Sequence, residues 1–182
     1  MSSRTPARGA QVVETEHGRA ATSPGWFVLN LAEAKAVTNE RSGTVLPLEP
    51  DDHRWSEVGV NVHVLLPGQQ ACRYHEERAQ EDFLVLAGEC LLIVEEQERR
   101  LGPWDFFHCP GGTRHVFVGG GDGPCAILMI GARPADNAVL YPISAVAARH
   151  GASVERETAS PREAYADWPG PFAPCRAPWP QP

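Results

Sequence analysis

Short apolar stretches separated by turn residues fill the middle of this 182-residue chain. In the first of them, Val58–Leu66, valines alternate with Gly59, Asn61 and His63, a period of two that is typical of β-strands. Pro-Gly and Gly-Gly pairs interrupt the pattern repeatedly and indicate turns. Eight strands are predicted: Val58–Leu66, Cys72–His75, Asp82–Ala87, Cys90–Glu95, Gln97–Leu101, Asp105–Cys109, His115–Val118 and Cys125–Gly131.

This succession of short strands, with no long helical pattern between them, predicts an antiparallel sandwich or a small barrel. The dipeptide Gly88-Glu89 between two apolar strands favours a tight hairpin at that point. One helix is predicted late in the chain, at residues 142–150, where Gly151 ends it. We expect this helix to pack outside the barrel.

The two ends of the chain differ from its middle. Residues 1–24 are polar and lack periodicity, which predicts a flexible N-terminal arm. Residues 161–182 contain seven of the seventeen prolines, which favours a tail that does not pair in a sheet and is dispensable for folding. The tail is either disordered or an extended arm against a neighbour, and Trp168 and Trp179 favour the arm. The predicted barrel domain, with its helix, spans residues 25–160.

Length and composition limit the class of protein. A chain of 182 residues, 42% hydrophobic and 21% charged, fits one globular domain. Its net charge of −7, with no basic run, argues against binding to nucleic acid or to anionic membranes. Five cysteines without a CxxC pair argue against a zinc ribbon or a disulfide framework. Because neither a secretory signal nor an apolar run of about 20 residues is evident, we expect a soluble cytoplasmic protein.

Two stretches of the sequence resemble the motifs of the cupin superfamily. With His75 taken as the second histidine of the first motif, Glu81 follows after five residues and Gly88 after six more. The matching residues of the second motif are Pro110, Gly112 and His115. The resemblance covers about residues 58–142 and is to single-domain bacterial members. It implies an all-β jelly-roll barrel, also called a double-stranded β-helix, with a short C-terminal helix.

The resemblance implies a metal centre. It gives the positions of the metal ligands to His75, Glu81 and His115. Two histidines and one carboxylate suit a divalent ion that keeps open coordination positions, such as zinc, iron, manganese or nickel. Elementary electrostatics agrees, because a glutamate and a histidine inside an apolar barrel are costly unless they find partners.

Two residues near this set complicate the picture. Arg73 stands where the motif has its first histidine, and a guanidinium has no lone pair to donate to a metal. On the predicted strand Cys72–His75, Arg73 faces the lumen with His75 and binds Glu81 or an anionic ligand. His108 is a further candidate for lining the cavity or replacing a ligand, and its alternative is a hydrogen-bonded barrel histidine.

Two functions are compatible with these residues. The first is a cupin that binds a divalent metal and a small, anionic organic ligand, with oxygenase or isomerase activity. The second is a non-catalytic sensing cupin, which in its metal-free form has Arg73 paired with Glu81. The fold alone does not decide between them. Apolar Leu84 and Leu86, opposite the Glu81 face, and Leu92 predict a homodimer, since a strand apolar on both faces must be covered on both.

Overall fold

Antiparallel strands make up most of the fold. The computed structural model describes residues 7–178. The strands are β1 (Val12–Thr15), β2 (Gly18–Ala21), β3 (Lys35–Asn39), β4 (Gly43–Pro47), β5 (Val58–Leu65), β6 (Glu76–Glu77), β7 (Glu81–Ala87), β8 (Cys90–Val94), β9 (Gln97–Leu101), β10 (Phe106–Cys109), β11 (His115–Gly119), β12 (Cys125–Ala132), β13 (Val139–Leu140) and β14 (Ala173–Arg176). The helices are a 3-10 turn at Leu31–Glu33, α1 (Ala145–Ala148) and α2 (Pro161–Ala164).

Two sheets enclose the barrel core. A seven-stranded sheet has the order β10-β7-β12-β5-β4-β3-β14, and a three-stranded sheet has the order β11-β8-β9. Alternate side chains of both sheets meet in one apolar cluster, to which Phe83 and Ile127 come from the large sheet and Leu92 and Phe117 from the small one. Burial of such side chains is the main stabilising contribution to a fold of this kind. The all-β jelly-roll fold predicted from the sequence is confirmed.

Most of the predicted strands are present, and one is not. Seven of the eight have observed bounds within one residue of the prediction at each end. The exception is Cys72–His75, which forms no strand and makes only an isolated bridge between His75 and His115. The alternation of side chains along a strand therefore does not apply to residues 72–75.

The turn at Gly88 joins the two sheets and does not form a hairpin. Strand β7 pairs with β10 and β12, whereas β8 pairs with β9 and β11, so the hairpin prediction at this position is wrong. Gly88 has a φ of +69°, and a Cβ atom there would lie 2.2 Å from the carbonyl oxygen of Pro124. Only glycine fits this crossing without strain. The tight hairpin instead joins β8 to β9 at Glu95 and Glu96, which both have positive φ.

The predicted helix is present but shorter. Helix α1 has four residues and is capped by Ser144, whose hydroxyl accepts a hydrogen bond from the Ala147 backbone N–H. Ala147 packs with Tyr74, Ile93 and Val116 on the outer side of the small sheet. The expected position outside the barrel is thus observed. Within residues 7–178 we find no helix with the length and apolar character needed to cross a membrane.

Both chain ends contain regular structure where they are described. The part of the expected N-terminal arm from residue 7 to 24 contains the β1–β2 hairpin. In the expected tail, β14 pairs with β3 and places Pro174 opposite Val37, so the expectation that its prolines prevent pairing is wrong. The reason is that β14 is the edge strand of its sheet, where a missing N–H group is tolerated. Residues 1–6 and 179–182, including Trp179, lie outside the described residues, and the domain boundaries stay a prediction.

Candidate functional site

The backbone brings the two motif histidines together. The His75 N–H donates to the His115 carbonyl at 3.1 Å, and the His115 N–H donates to the His75 carbonyl at 2.8 Å. The two imidazole rings therefore lie side by side, with centroids 4.8 Å apart. Both side chains are buried, His115 to 2% exposure. Forty residues of sequence separate these histidines, so their meeting is a property of the fold.

Glu81 completes the cluster from the first position of β7. Its Oε2 lies 3.5 Å from the Nε2 of His115 and 4.0 Å from the Nε2 of His75. One donor atom from each of His75, Glu81 and His115 lies within 4.8 Å of the others. Two metal–ligand bonds of about 2 Å span up to about 4 Å, so the two Glu81 distances fit one divalent ion, and a pair at the 4.8 Å limit needs to close by less than about 1 Å. The structure thus brings together the three residues that the sequence analysis predicts as metal ligands.

The histidines are held in the tautomer that metal binding needs. The Nδ1 of His75 lies 2.9 Å from the carbonyl oxygen of Arg73, and the Nδ1 of His115 lies 3.2 Å from that of Thr113. A carbonyl oxygen only accepts, so each Nδ1 donates its hydrogen and each Nε2 keeps its lone pair. Burial lowers the pKa of both rings, that of His115 to about 3, where the neighbouring His75 contributes as well. Both imidazoles are therefore neutral at pH 7.

The carboxylate of Glu81 has no cationic side chain as a partner. Among the described residues it forms no ion pair with lysine or arginine. Burial, and then the charge of Glu77, raise the pKa of Glu81 to about 7. A divalent ion at the Nε2 atoms would supply the missing positive charge and lower that pKa again. The donor set therefore fits a bound metal better than it fits an isolated carboxylate.

Arg73 does not face this cluster, so both of its expected roles are wrong. Its guanidinium donates to the carbonyl oxygens of Gly151, Ser153 and Ala164 at 2.9 to 3.1 Å and forms an ion pair with Asp167. It therefore neither binds Glu81 nor offers a charge to a ligand in the lumen. The expectation failed because it assumed an extended strand at residues 72–75. The anionic character expected of the ligand loses its basis as well.

Sequence reasoning missed Glu77, which lies at the rim of the cluster. Its Oε1 is 3.9 Å from the Nε2 of His75, while its Oε2 accepts a hydrogen bond from Asn137 at 2.8 Å. The spacing of the motif residues along the sequence could have indicated Glu77. With His75 at the first histidine position of the motif, Glu77 falls at the second, Glu81 follows after three residues, and Gly88 after six more. The motif has three or four residues between its second histidine and its glutamate, so this alignment fits it, whereas the one with Arg73 at the first histidine leaves five residues there.

His108 lies on the outer face of the large sheet and not in the lumen. Its register partner in β7 is Asp82, the residue after Glu81, so the two residues point away from the core. The Nδ1 of His108 lies 2.7 Å from Asp82 Oδ1, and the side chain is 53% exposed. The structure thus corrects the expectation that His108 lines the cavity. Aromatic rings close the cluster instead: Phe83 lies 5.2 Å from the His115 ring, Phe107 5.9 Å from it, and Tyr141 5.9 Å from the His75 ring.

Comparison with known proteins identifies the domain. Residues 61–131 match the family model described as a cupin domain. These residues run from the middle of β5 almost to the end of β12 and include all three clustered residues. No curated protein matches the chain.

Several solved structures are similar to it. A cupin-superfamily sugar phosphate isomerase from Silicibacter pomeroyi is 29% identical with a TM-score of 0.47, over 53% of this chain and 62% of that one. A chain from Acidithiobacillus ferrooxidans is 26% identical with a TM-score of 0.44, over 46% of this chain and 55% of its own. The polyketide cyclase RemF from Streptomyces resistomycificus is 15% identical with a TM-score of 0.45, over 74% and 81%. The chain spans less than two thirds of the length of the first two.

Proposed function

We propose that this chain, which carries a cupin domain, binds one divalent metal ion through His75, Glu81 and His115 and holds a small organic molecule beside it. The observation that carries the proposal is the convergence of three donor atoms within 4.8 Å of one another. Two neutral imidazoles with free Nε2 lone pairs and one buried carboxylate form a set that suits zinc, iron, manganese or nickel. Backbone carbonyls behind each imidazole orient it, as is usual around metal-binding histidines.

Glu77 supplies a fourth donor in this proposal. Its carboxylate is held by Asn137 and lies on the His75 side of the cluster. A small movement of the side chain places its Oε1 on an ion bound to the other three residues. Two carboxylates beside two neutral histidines would balance the charge of a divalent ion, and they favour ions that accept oxygen ligands.

The chemistry follows from the donor set. A divalent ion in such a site acts as a Lewis acid on an oxygen atom of a bound molecule and orients that molecule. The protein's own contribution is the apolar aromatic wall of Phe83, Phe107 and Tyr141, which limits water around the site. This combination suits an isomerase or an oxygenase acting on a small oxygenated compound, and a cupin that only senses such a compound would bind it in the same way.

Two measurements with added Zn²⁺, Mn²⁺ or Fe²⁺ test the proposal: calorimetric titration of the ion into the protein, and thermal unfolding with and without the ion. We expect one ion per chain and a higher melting temperature when it is bound. His115→Ala should abolish binding, and Glu77→Gln should weaken it about 10–100-fold. His108→Ala, on the outer face, is the matched control and should bind like the wild type. If His115→Ala fails to fold, Glu81→Gln, which keeps the side-chain shape, takes its place. Equal binding by all variants would refute the site.

We also propose that the protein is a homodimer. Leu84 and its register partner Phe106, which is 63% exposed, leave an apolar area on the outer face of the large sheet. The other two leucines do not support the interface, since Leu92 is buried in the barrel core and Leu86 packs against the second apolar cluster. Light scattering at micromolar concentration should give the mass of two chains, and Phe106→Ser should shift it toward one. A wild-type monomer at that concentration would contradict the proposal.

A further inference from the structure

A second feature of the barrel is a cavity between the large sheet and the C-terminal segment, defined as residues 160–178. Its volume is about 620 Å³, within the range of about 300–1,000 Å³ usual for small-molecule sites. Asn61, His63 and Met129 line it from the inner face of the sheet, and Tyr165, Trp168 and Phe172 line it from the segment. The cavity is therefore closed on one side by a part of the chain outside the matched cupin region.

Two of the residues that line this cavity each have a buried polar atom without a partner. Among residues 7–178, Asn61 Oδ1 and Trp168 Nε1 are buried and have no hydrogen-bond partner. The first is an acceptor and the second is a donor. Buried polar groups in native proteins nearly always find a partner, so an unpartnered pair at a cavity indicates a ligand or ordered water.

The cavity is uncharged and mainly apolar. No aspartate, glutamate, lysine or arginine lines it among the described residues. His63 is neutral, because burial lowers its pKa to about 4, and its Nε2 donates to the Ser42 carbonyl at 2.6 Å. Arg41 and Arg73 stack on the Trp168 ring, each with its Cζ 5.3 Å from the ring centroid, but their charged groups line a separate cavity. An ion in the cavity would therefore lose its hydration without gaining a counter-charge.

The cavity adjoins the metal cluster on two sides. Phe83 stands opposite Met129 in the register of β7 and β12, and its ring lies 5.2 Å from that of His115. On the other side, the Tyr165 ring lies 5.6 Å from Tyr141, which in turn lies 5.9 Å from His75. One aromatic ring thus separates the cavity from each of the two histidines.

We infer that this cavity binds an uncharged, mainly apolar organic molecule that donates a hydrogen bond to Asn61 and accepts one from Trp168. The inference deepens the proposed function by naming the class of molecule that is held beside the metal centre, and it rests on the proposed function for the presence of that centre. Trp168 acts as the specificity residue from the C-terminal side. Two guanidinium groups lie against its ring, and Asn39 holds the next two residues by donating to the carbonyls of Pro169 and Gly170.

The test compares three probes of matched shape. Benzamide carries a donor and an acceptor, benzoate is its anionic isostere, and toluene lacks both polar groups. We expect benzamide to bind with a millimolar or lower Kd and to shift the Trp168 Nε1–H signal in the proton–nitrogen spectrum. Benzoate and toluene should each bind at least about tenfold more weakly, the loss that one unmade hydrogen bond to a buried group commonly causes.

Variants decide whether the named atoms are responsible. Trp168→Phe and Asn61→Leu should each weaken benzamide binding about tenfold. Trp104→Phe, at a tryptophan that is 77% exposed and outside the cavity lining, is the matched control and should change nothing. If Trp168→Phe does not fold, Asn61→Leu decides alone. Benzoate binding as tightly as benzamide, no benzamide binding at all, or variants equal to the wild type would each overturn the inference.

The same measurement separates this inference from the metal proposal. Benzamide is titrated into chelator-treated wild type and into His115→Ala, where the metal proposal predicts that no ion is bound. Binding in both supports the cavity independently of the metal. If benzamide fails to bind while the metal still binds, the cavity inference is wrong and the metal site stands. If the metal fails to bind while benzamide still does, only the metal proposal is lost.

Discussion

The barrel and the C-terminal segment, residues 160–178, line the same cavity but are held in place by different interactions. The barrel packs apolar side chains from two sheets, so its stability is spread over many contacts of similar size. The segment combines the pairing of its edge strand β14 with β3 and a few polar anchors. Arg73 donates to three carbonyl oxygens around it, and Asn39 donates to two within it. In the segment, one substitution can therefore remove several anchors at once.

Among the substitutions that test this difference, Arg73→Met has the largest expected effect on the free energy of unfolding. The substitution keeps an apolar stem but removes the donors of three carbonyl oxygens, and an acceptor left unpaired in a buried place is costly. We expect the free energy of unfolding to fall by roughly 3 kcal/mol, measured by urea denaturation. Arg78→Met, which removes an exposed ion pair with Asp136, is the control and should change stability by less than about 1 kcal/mol. Similar losses in both variants would contradict the account.

The Arg73 substitution also separates stability from metal binding. Because the guanidinium points away from Glu81, a folded Arg73→Lys protein should bind metal with the affinity of the wild type. A large gain in affinity on replacing Arg73 would mean that its charge acts on the cluster after all.

The pH dependence of stability gives the next largest effect. His63 is buried in the sheet with a pKa of about 4, against 6.5 for an unperturbed histidine. Between these values the unfolded chain binds more protons than the folded one, so stability falls as the pH drops through this window. Between pH 7 and pH 5, His63 alone lowers the free energy of unfolding by about 2 kcal/mol. Urea unfolding of chelator-treated protein at the two pH values measures the total loss, to which the buried His75 and His115 also contribute.

A substitution isolates the contribution of His63. His63→Gln should make the loss between pH 7 and pH 5 smaller than in the wild type, whatever its effect on stability at pH 7. His53→Gln, at an exposed histidine, should leave the loss unchanged. An identical pH dependence in wild type and His63→Gln would show that His63 is not the buried neutral group described above.

Asp167→Asn gives the smallest expected effect. Asp167 pairs with Arg73, which holds the pKa of the carboxyl below its usual value, but its side chain is 64% exposed. Water screens such a pair, and the amide oxygen of asparagine can still accept from the guanidinium. We expect a loss of about 0.5–1 kcal/mol, smaller at high salt, in the same urea experiment. A loss as large as that of Arg73→Met would mean that the ion pair, and not the carbonyl contacts, anchors the segment.

The contrast between the barrel and the segment also explains which parts of the structure the sequence predicts. Within the barrel, alternation places residues correctly, because Phe83 and Val85 are buried while Asp82 and Leu84 point outward. His75, Glu81 and His115 were predicted because they stand at positions that resemble the metal-ligand positions of the cupin motifs. Where the chain leaves regular structure, the alternation carries no information, so Arg73 was placed on the wrong side.

The remaining errors have a common physical cause. Whether Gly88 turns a hairpin or crosses between sheets depends on which strands pair, and that is decided by residues far along the chain. Whether Pro174 lies in a strand depends on an edge made by Lys35–Asn39, more than a hundred residues earlier. The donor and acceptor at the cavity, Asn61 and Trp168, are likewise brought together only by the tertiary fold.

The metal content of the purified protein tests the central claim most directly. After loading with Mn²⁺ or Zn²⁺ and removal of free ions, elemental analysis should find close to one ion per chain in the wild type and in His108→Ala. It should find almost none in His115→Ala, although that variant keeps the rest of the barrel. Metal at the same level in all three proteins, or a wild type without metal after loading, would contradict a site built from His75, Glu81 and His115.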